Sequence, residues 1–236
     1  MVCKMLKYSM TLIDFDKAQN ASQNKVDAAQ NCLLVGVDEA GRGPLAGPVT
    51  ACACYIPPEL YTHPIMSKIN DSKKLTPQKR EEIFEELLTL PITYCTGYAS
   101  TEEIDKLNIL QATFLAMRRA LSKFKNKNIS VLIDGNKTIP NLTAPQKAIV
   151  KGDGTSLCVA AASIIAKVSR DKFMDLSAKL YPNYKFEEHK GYGTKLHTDL
   201  LDKYGPCPLH RKTFEPVYSK FYGLFADCNL AKAGGK

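Results

Sequence analysis

The sequence lacks a long apolar segment. No apolar run approaches the roughly 20 residues that a helix needs to span a bilayer, which argues against an integral membrane protein. The start of the chain also lacks the continuous apolar core of a secretory signal, because Lys4, Lys7 and Asp14 interrupt it. Internal repeats, low-complexity tracts and a convincing linker are missing too, so a single domain is the simplest interpretation.

Paired metal-binding cysteines are absent as well. The eight cysteines are scattered and none forms a C-x-x-C pair, so the spacing of a structural zinc site is missing. Cys52 and Cys54 lie two residues apart in an apparent strand and therefore share a face, which favours reduced packing residues over metal ligands. Cysteines used in this way fit a reducing compartment, and we expect a cytoplasmic protein.

What the chain does have is length and positive charge. Its 236 residues can form one large α/β domain or two small ones with a substantial core. Lys and Arg number 32 against 24 Asp and Glu, a formal net charge of +8. This excess favours a polyanionic partner such as nucleic acid. A soluble basic protein without such a partner would carry the same charge, so charge alone leaves both interpretations open.

The hydrophobic pattern predicts three regions: a loosely ordered extension over residues 1–30 with at most a short helix, an α/β domain over 31–218, and a C-terminal tail over 219–236. Within the domain, apolar runs bounded by Gly, Pro or acids predict strands over residues 33–37, 49–56, 92–99, 129–133 and 148–150. Cap residues and apolar stripes predict helices over 77–90, 101–124 and 156–180 and a short one from Thr194. These elements favour a mixed central sheet flanked by helices, with a C-terminal helical segment.

Carboxylates follow the apolar strands. Asp38 and Glu39 end the first strand, Asp134 ends another, and Asp153 precedes the longest helix. Ligands of open α/β sheets gather at strand ends, so these acids could converge. Hard oxygen donors favour Mg²⁺ or Mn²⁺ over zinc, and two such ions about 4 Å apart are a standard device for phosphodiester hydrolysis. On this evidence alone, a metal-dependent nuclease competes with a phosphotransferase and with a non-catalytic binding protein.

A set of motifs narrows this choice. The sequence resembles bacterial ribonuclease HII, the type 2 ribonuclease H family, over roughly residues 33–217. The matching stretches occur in family order: VGVDEAGRGPLAGPV, NDSKKLT, IDKLNILQATFLAM, VLIDGN, KGD, AAASIIAKVSRD, HKGYGT and RKTFEPV. The resemblance implies a ribonuclease H-like fold and cleavage of the RNA strand in RNA–DNA hybrids. It also implies incision 5′ to single ribonucleotides in duplex DNA, leaving 3′-hydroxyl and 5′-phosphate ends.

The resemblance also implies roles for residues. Asp38, Glu39, Asp134 and Asp153 match the catalytic, metal-binding carboxylates, which implies two Mn²⁺ or Mg²⁺ ions during catalysis. For both Asp38 and Glu39 to serve, we expect the backbone to leave strand geometry at these two residues. The implied substrate contacts are Gly41, Arg42 and Gly43 at the ribonucleotide, Tyr192 on the following sugar, and Ser72, Lys73, Lys74, Asn108 and Gln111 at phosphates.

Two alternatives and several neutral interpretations remain. The alternatives are a type 3 ribonuclease H and a non-catalytic hybrid-binding protein; Arg42 and the short extension argue against the first, and the complete acid set argues against the second. We expect a monomer that acts on RNA–DNA hybrids and on DNA containing ribonucleotides, and no membrane partner. We expect structural or surface roles for His189, His197 and His210, an ion pair for Asp171, and solvated side chains for Asp14, Asp16 and Asp71.

Overall fold

The computed structural model describes residues 10–26, 32–70 and 72–222. Their contacts divide the chain into two compact units, which are described separately below. The first unit takes its residues from 1–38, 53–95 and 123–164, and the second from 39–52, 96–122 and 165–236. Asp71 and residues 223–236 of the expected tail lie outside the described residues, so the expected three-region organisation stays a prediction. None of the helices in the described part of the chain is both long and apolar enough to cross a membrane.

Five strands of the described residues form one mixed sheet, as the sequence predicted. The order across the sheet is β3-β2-β1-β4-β5. Strand β1 pairs in parallel with β4, and β4 pairs in parallel with β5. The strands are β1 (Leu33–Ala40), β2 (Val49–Tyr55), β3 (Thr93–Ala99), β4 (Ile129–Asp134) and β5 (Gln146–Ile149).

Seven α-helices accompany the sheet in the part of the chain that the structure describes. Helix α2 begins as predicted, with the Thr76 hydroxyl accepting the Lys79 amide and Pro77 at the first helical position. The helices are α1 (Leu12–Val26), α2 (Pro77–Thr89), α3 (Thr101–Leu107), α4 (Ile109–Leu121), α5 (Leu157–Leu180), α6 (Phe186–His189) and α7 (Lys195–Tyr204).

The single helix predicted over residues 101–124 is wrong. Asn108 adopts a left-handed φ of +69° and separates α3 from α4. Its side-chain Oδ1 accepts the amides of Leu110 and Gln111, so it caps α4. The N-cap of α3 is Ser100, within a capping box with Glu103. The apolar stripe continued through Asn108, and the break depends on a local side-chain bond that the stripe does not reveal.

The first half of α5 is rich in alanine and packs closely. Ala160, Ala161 and Ala162 are fully buried. In the first unit, Cys158 and Val159 at the start of this helix form one apolar cluster with Leu34 of β1 and Leu132 of β4. The helix start is therefore fixed against the two central parallel strands.

Helix α1 also belongs to this packing, which corrects the expectation for Asp16. That side chain is fully buried rather than solvated. Its Oδ2 accepts the backbone amide of Cys158 at 2.9 Å, at the start of α5. Burial raises the pKa of the Asp16 carboxyl, against hydrogen bonds from Ser156 and Cys158 that lower it. The part of the expected extension that the structure describes thus contributes a carboxylate at the N-terminus of the longest helix, where negative charge is favourable.

This contact predicts a stability difference between two substitutions. Asp16→Asn keeps an oxygen acceptor for the Cys158 amide, whereas Asp16→Ala leaves that amide unpaired and should cost about 1–3 kcal/mol more. Because the folded state raises the carboxyl pKa, the stability that Asp16 contributes is present below about pH 4, its unfolded value, and is lost as the pH rises through the folded pKa. Urea unfolding at several pH values should therefore show that the free energy of unfolding of Asp16→Asn increases relative to that of the wild type as the pH rises. Equal stability of the two variants would contradict the proposed contact.

Candidate active site

Two carboxylates lie at the same level on neighbouring parallel strands of the first unit, Asp38 within β1 and Asp134 at the end of β4. Val37 of β1 and Ile133 of β4 are register partners, and Asp38 and Asp134 are the next residue on each strand. Residues paired in a parallel sheet point to the same face, with strands about 4.8 Å apart. Asp38 is only 4% exposed, so its carboxylate lies in a shielded position.

A turn after β5 adds a third carboxylate. Lys151 adopts a left-handed φ of +58° and begins a short 3₁₀ turn over Gly152–Gly154. The Gly152 amide donates to Asp134 Oδ1 at 2.7 Å, which ties this turn to the end of β4. Asp153 follows directly and is 5% exposed. The turn that carries Asp153 is therefore held near Asp134 by a hydrogen bond from a backbone amide to the Asp134 side chain.

The donor set fits a hard divalent cation. Asp38, Asp134 and Asp153 offer only carboxylate oxygens, which Mg²⁺ and Mn²⁺ prefer. Shielded carboxylates repel one another unless positive charge lies close to them. As the side chains stand, no group of three or more His, Cys, Asp or Glu residues within the described ranges is arranged to hold a metal ion. What the structure shows is Asp38 and Asp134 at one level of neighbouring strands, with the turn of Asp153 bonded to Asp134.

Glu39 lies in the second unit and is paired. Its Oε1 is 3.3 Å from Arg42 Nη1, with the arginine side chain half exposed. The expected departure from strand geometry at Asp38 and Glu39 is wrong, because β1 runs on to Ala40. The backbone leaves the strand at Gly41 instead, where φ is +93°.

The loop after β1 is held by two buried arginines of the second unit, the first of which is Arg170 of α5. Its guanidinium donates to the carbonyl oxygens of Pro48, Ala46 and Lys190, each at 3.0 Å. Burial lowers the pKa of Arg170. Guanidinium remains protonated in proteins, and its fixed fork of donors can collect several carbonyls at once.

The second is Arg211, which donates to carbonyl oxygens on the same loop. Its Nε and Nη2 bond Gly47 at 3.0 and 2.9 Å, and Nη1 bonds Arg42 at 2.8 Å. Its Nη2 also donates to the Gly41 carbonyl. Burial lowers the pKa of Arg211 to about 9, which leaves the group charged at neutral pH. Residues 41–48 are therefore fixed through their main chain.

Sequence reasoning missed both arginines as structural centres. A signal for Arg170 exists, because it stands in the stripe Ala162, Ala166, Arg170, Met174, whose other members are apolar and buried. A charge at i+4 spacing within an apolar stripe indicates a buried, internally bonded side chain. Arg211 lies in a loop and has no comparable signal.

The two glycines of the Gly-Arg-Gly stretch differ in what the fold asks of them. A Cβ at Gly41 would lie 2.1 Å from Arg170 Nε, and the residue also has a positive φ. Gly41 is therefore required by packing and by backbone conformation. A Cβ at Gly43 would meet nothing within 4 Å, and its φ is not in the left-handed region. Gly43 is exposed, and the fold does not require a glycine there.

Tyr192 lies on the surface of the second unit, 40% exposed. Lys167 Nζ and Arg170 Cζ stand 5.5 and 5.7 Å from its ring centroid, within cation–π range. Gly191 before it has φ +83°, and a Cβ there would lie 2.5 Å from the Ala46 carbonyl oxygen. The tyrosine is therefore positioned by a tight turn against the loop that the arginines hold.

The five residues expected to contact phosphates differ in exposure and in their hydrogen bonds. The Ser72 side chain is buried, and its hydroxyl bonds Ser163 at 2.8 Å, so the structure does not support a phosphate contact through that side chain. Asn108 uses its Oδ1 for capping, as described above. The remaining three expected contacts, Lys73, Lys74 and Gln111, are all exposed.

The structural roles expected for Asp171 and for the three histidines agree with the structure. Asp171 pairs with Lys167 at 2.7 Å, as expected for an ion-pair partner. His189, His197 and His210 are all buried in the second unit. They bond one another or the main chain, which fits the structural roles expected for them.

The chain is similar to known proteins over most of its length. The family model for Ribonuclease HII matches residues 35–217. The Ribonuclease HII of Caldicellulosiruptor saccharolyticus is 52% identical over 182 residues, which cover 77% of this chain and 86% of that protein. That of Endomicrobium trichonymphae is 52% identical over 184 residues, which cover 78% and 86%.

The fold agrees as well. The crystal structure of ribonuclease H2 from Pyrococcus horikoshii OT3 matches with a TM-score of 0.65 at 28% identity, covering 81% of this chain and 98% of that chain. The predicted ribonuclease H-like fold is confirmed, and the family match favours type 2 over the type 3 alternative. The chain therefore belongs to the ribonuclease HII family and is a ribonuclease H enzyme.

Proposed function

We propose that the enzyme hydrolyses the RNA strand of RNA–DNA hybrids and incises duplex DNA on the 5′ side of single embedded ribonucleotides. The observation that carries this proposal is the position of three carboxylates in the first unit. Asp38 and Asp134 follow the register partners Val37 and Ile133 on neighbouring parallel strands, and the Gly152 amide holds the turn of Asp153 beside Asp134. Carboxylates in such shielded positions suit the binding of metal ions at a phosphodiester.

Asp38, Asp134 and Asp153 are the proposed ligands of two Mg²⁺ or Mn²⁺ ions, with Glu39 as the fourth carboxylate that the family resemblance implies. When bound, such ions activate the attacking water and stabilise the leaving 3′ oxygen. The carboxylates hold the ions and orient them. The Asp134 oxygen that accepts the Gly152 amide is fixed in place before substrate arrives, which reduces the cost of organising the site.

Residues of the second unit are proposed to select the substrate. Gly43 is exposed with open space where a side chain would stand, so its backbone can lie directly against a nucleotide and read the 2′-hydroxyl. Arg42 is half exposed and can reach a phosphate. Tyr192 presents a partly exposed ring that can pack on the sugar after the ribonucleotide. Asn108 and Gln111 of this unit, and Lys73 and Lys74 of the first unit, remain proposed phosphate contacts.

Asp134→Asn tests whether Asp134 is a metal ligand. The asparagine keeps an Oδ1 acceptor for the Gly152 amide, so folding and hybrid binding should be retained, while the lost charge removes metal binding. We expect cleavage to fall on the order of 10³-fold, equivalent to about 4 kcal/mol. Asp199→Asn, an exposed acid on α7, is the control for removing one negative charge and should cleave like the wild type. If purified Asp134→Asn cleaved the hybrid at the wild-type rate with Mg²⁺ or Mn²⁺, the proposed role of Asp134 would be refuted.

Two glycine substitutions separate folding from substrate contact. Gly43→Ala should leave stability unchanged within about 0.5 kcal/mol, because its Cβ meets no neighbour. It should nonetheless raise KM for a hybrid, since the methyl group holds the nucleotide away from the backbone. Gly41→Ala should cost at least about 1–3 kcal/mol of stability, because its Cβ collides with Arg170. Denaturant unfolding and hybrid cleavage, measured on both variants, provide the check. An unchanged KM in Gly43→Ala would exclude close backbone approach at this position.

Cleavage mapping tests the recognition of the sugar. On a duplex with one embedded ribonucleotide, the wild type should incise on its 5′ side, and Tyr192→Ala should lower this incision on the order of tenfold, about 1.4 kcal/mol. Tyr192→Phe keeps the ring and should stay near the wild type. A duplex with a long RNA tract is the matched control substrate. Wild-type cleavage confined to the RNA tract would contradict the proposed roles of Tyr192 and the Gly-Arg-Gly stretch.

A further inference from the structure

A chain of hydrogen bonds runs from the loop at Cys207 to the main chain of Tyr192. The Cys207 amide donates to His210 Nδ1 at 3.0 Å, and His210 Nε2 lies 3.1 Å from His197 Nε2. His197 Nδ1 in turn lies 2.9 Å from the Tyr192 carbonyl oxygen. We call this chain of contacts the histidine relay. His197 and His210 are both buried, and all of these residues belong to the second unit.

The two ends of the relay fix the position of every proton within it. A backbone amide can only donate, so His210 Nδ1 accepts and the proton of neutral His210 sits on Nε2. That proton is donated to His197 Nε2, which therefore accepts. The proton of His197 then sits on Nδ1 and is donated to the Tyr192 carbonyl, which can only accept. One arrangement of protons satisfies all three contacts.

The relay needs both rings neutral, and the surroundings keep them so. Burial is the main cause that lowers the pKa of His197 and of His210 to about 4. The neighbouring His189 lowers the pKa of both further, and His197 also lowers that of His210. A protonated His197 would place two N–H groups against each other at the 3.1 Å contact, and a protonated His210 would direct its Nδ1–H at the Cys207 amide. At neutral pH the single arrangement is therefore the populated one.

A third histidine supports the relay without joining it. His189 stacks on His197 with ring centroids 4.2 Å apart. Its Nδ1 accepts the Gly191 amide at 3.1 Å, so its Nε2 proton is donated to the Tyr184 carbonyl at 2.8 Å. Gly191 and Tyr192, adjacent in the chain, are thus each held by a histidine through a main-chain group.

We propose that His197, oriented by His210, is a positioning residue for Tyr192 and so for recognition of the sugar that follows a ribonucleotide. This inference rests on the substrate role proposed for Tyr192. The Tyr192 carbonyl also accepts the Thr194 amide at 2.8 Å, a local turn bond that leaves the position of the turn to other contacts. The Nδ1–H of His197, five residues further along the chain, is one such contact. Lys167 and Arg170 position the tyrosine ring itself.

Two substitutions of His197 separate positioning from general packing. His197→Asn places an amide N–H at the level of Nδ1 and keeps the donor to Tyr192, but it loses the contact with His210. His197→Gln places its amide at the level of Nε2, which keeps the His210 contact and loses the donor to Tyr192. Both variants remove the same ring from the same buried site, so a loss caused by packing alone is common to both.

The measured quantity is the rate of incision at a single ribonucleotide divided by the rate of cleavage within a long RNA tract. We expect this ratio to fall about tenfold in His197→Gln and to stay within about twofold of the wild type in His197→Asn. A role limited to packing predicts equal changes in both variants and on both substrates. Equal changes in the ratio, or no change in His197→Gln, would overturn the proposal.

Nitrogen-15 NMR of the histidine-labelled wild-type chain at pH 7 tests the proton positions without any substrate. We expect the proton on Nδ1 of His197 and on Nε2 of His210 and His189. A proton on Nε2 of His197 would overturn the relay, even if neither variant folds. A wild type that shows no incision at single ribonucleotides would instead refute the substrate role of Tyr192, because the spectrum does not depend on that role.

Discussion

The second unit depends on buried guanidinium groups that bond to main-chain carbonyls. Arg170 and Arg211 are fully buried, and together they bond the carbonyl oxygens of five residues in the stretch 41–48. Carbonyl oxygens carry partial negative charge, so this set of bonds compensates the burial of two cations. In return, the loop after β1 has its peptide planes fixed one by one. A substitution that removed either guanidinium would leave several buried carbonyls unpaired at once.

Because the arginines hold the loop by its main chain, side chains on that loop are left to other purposes. Gly41 has no room for one, since it lies against Arg170. Arg42 projects outward and pairs with Glu39, and Gly43 faces open space. The same separation appears at Tyr192, whose backbone is bonded internally while its ring is partly exposed. Structure and proposed recognition therefore use different atoms of the same residues.

The first unit organises its acids by a related device. The Gly152 amide fixes Asp134, and the buried Asp16 carboxylate fixes the Cys158 amide at the start of α5. Both bonds join a carboxylate to a main-chain amide, which is a strong, charge-assisted type of hydrogen bond when the acid is ionised. Asp153 lies between the two anchored amides, directly after Gly152 and five residues before Cys158. The position of that turn is thus set by bonds on either side of it.

Much of the fold could be read from the sequence. Apolar runs predicted all five strands, and cap residues predicted the start of α2, because such signals depend on neighbours only a few residues away. The motifs were specific enough to predict the family, which the comparisons confirmed. The break at Asn108 and the burial of Asp16 could not be read in this way, because an acid or amide looks the same in sequence whether it faces water or a backbone amide.

The sequence by itself determined the family, the strand set and the four carboxylates proposed for metal binding, which stay a prediction. Tertiary structure alone decided which of the similar residues serve the fold. It separates Gly41, packed on Arg170, from Gly43, which has no neighbour at its Cβ position. It turns Ser72 inward, and it joins His197 to His210 across thirteen residues of chain. These assignments depend on contacts between residues distant in sequence, which become defined only when the chain has folded.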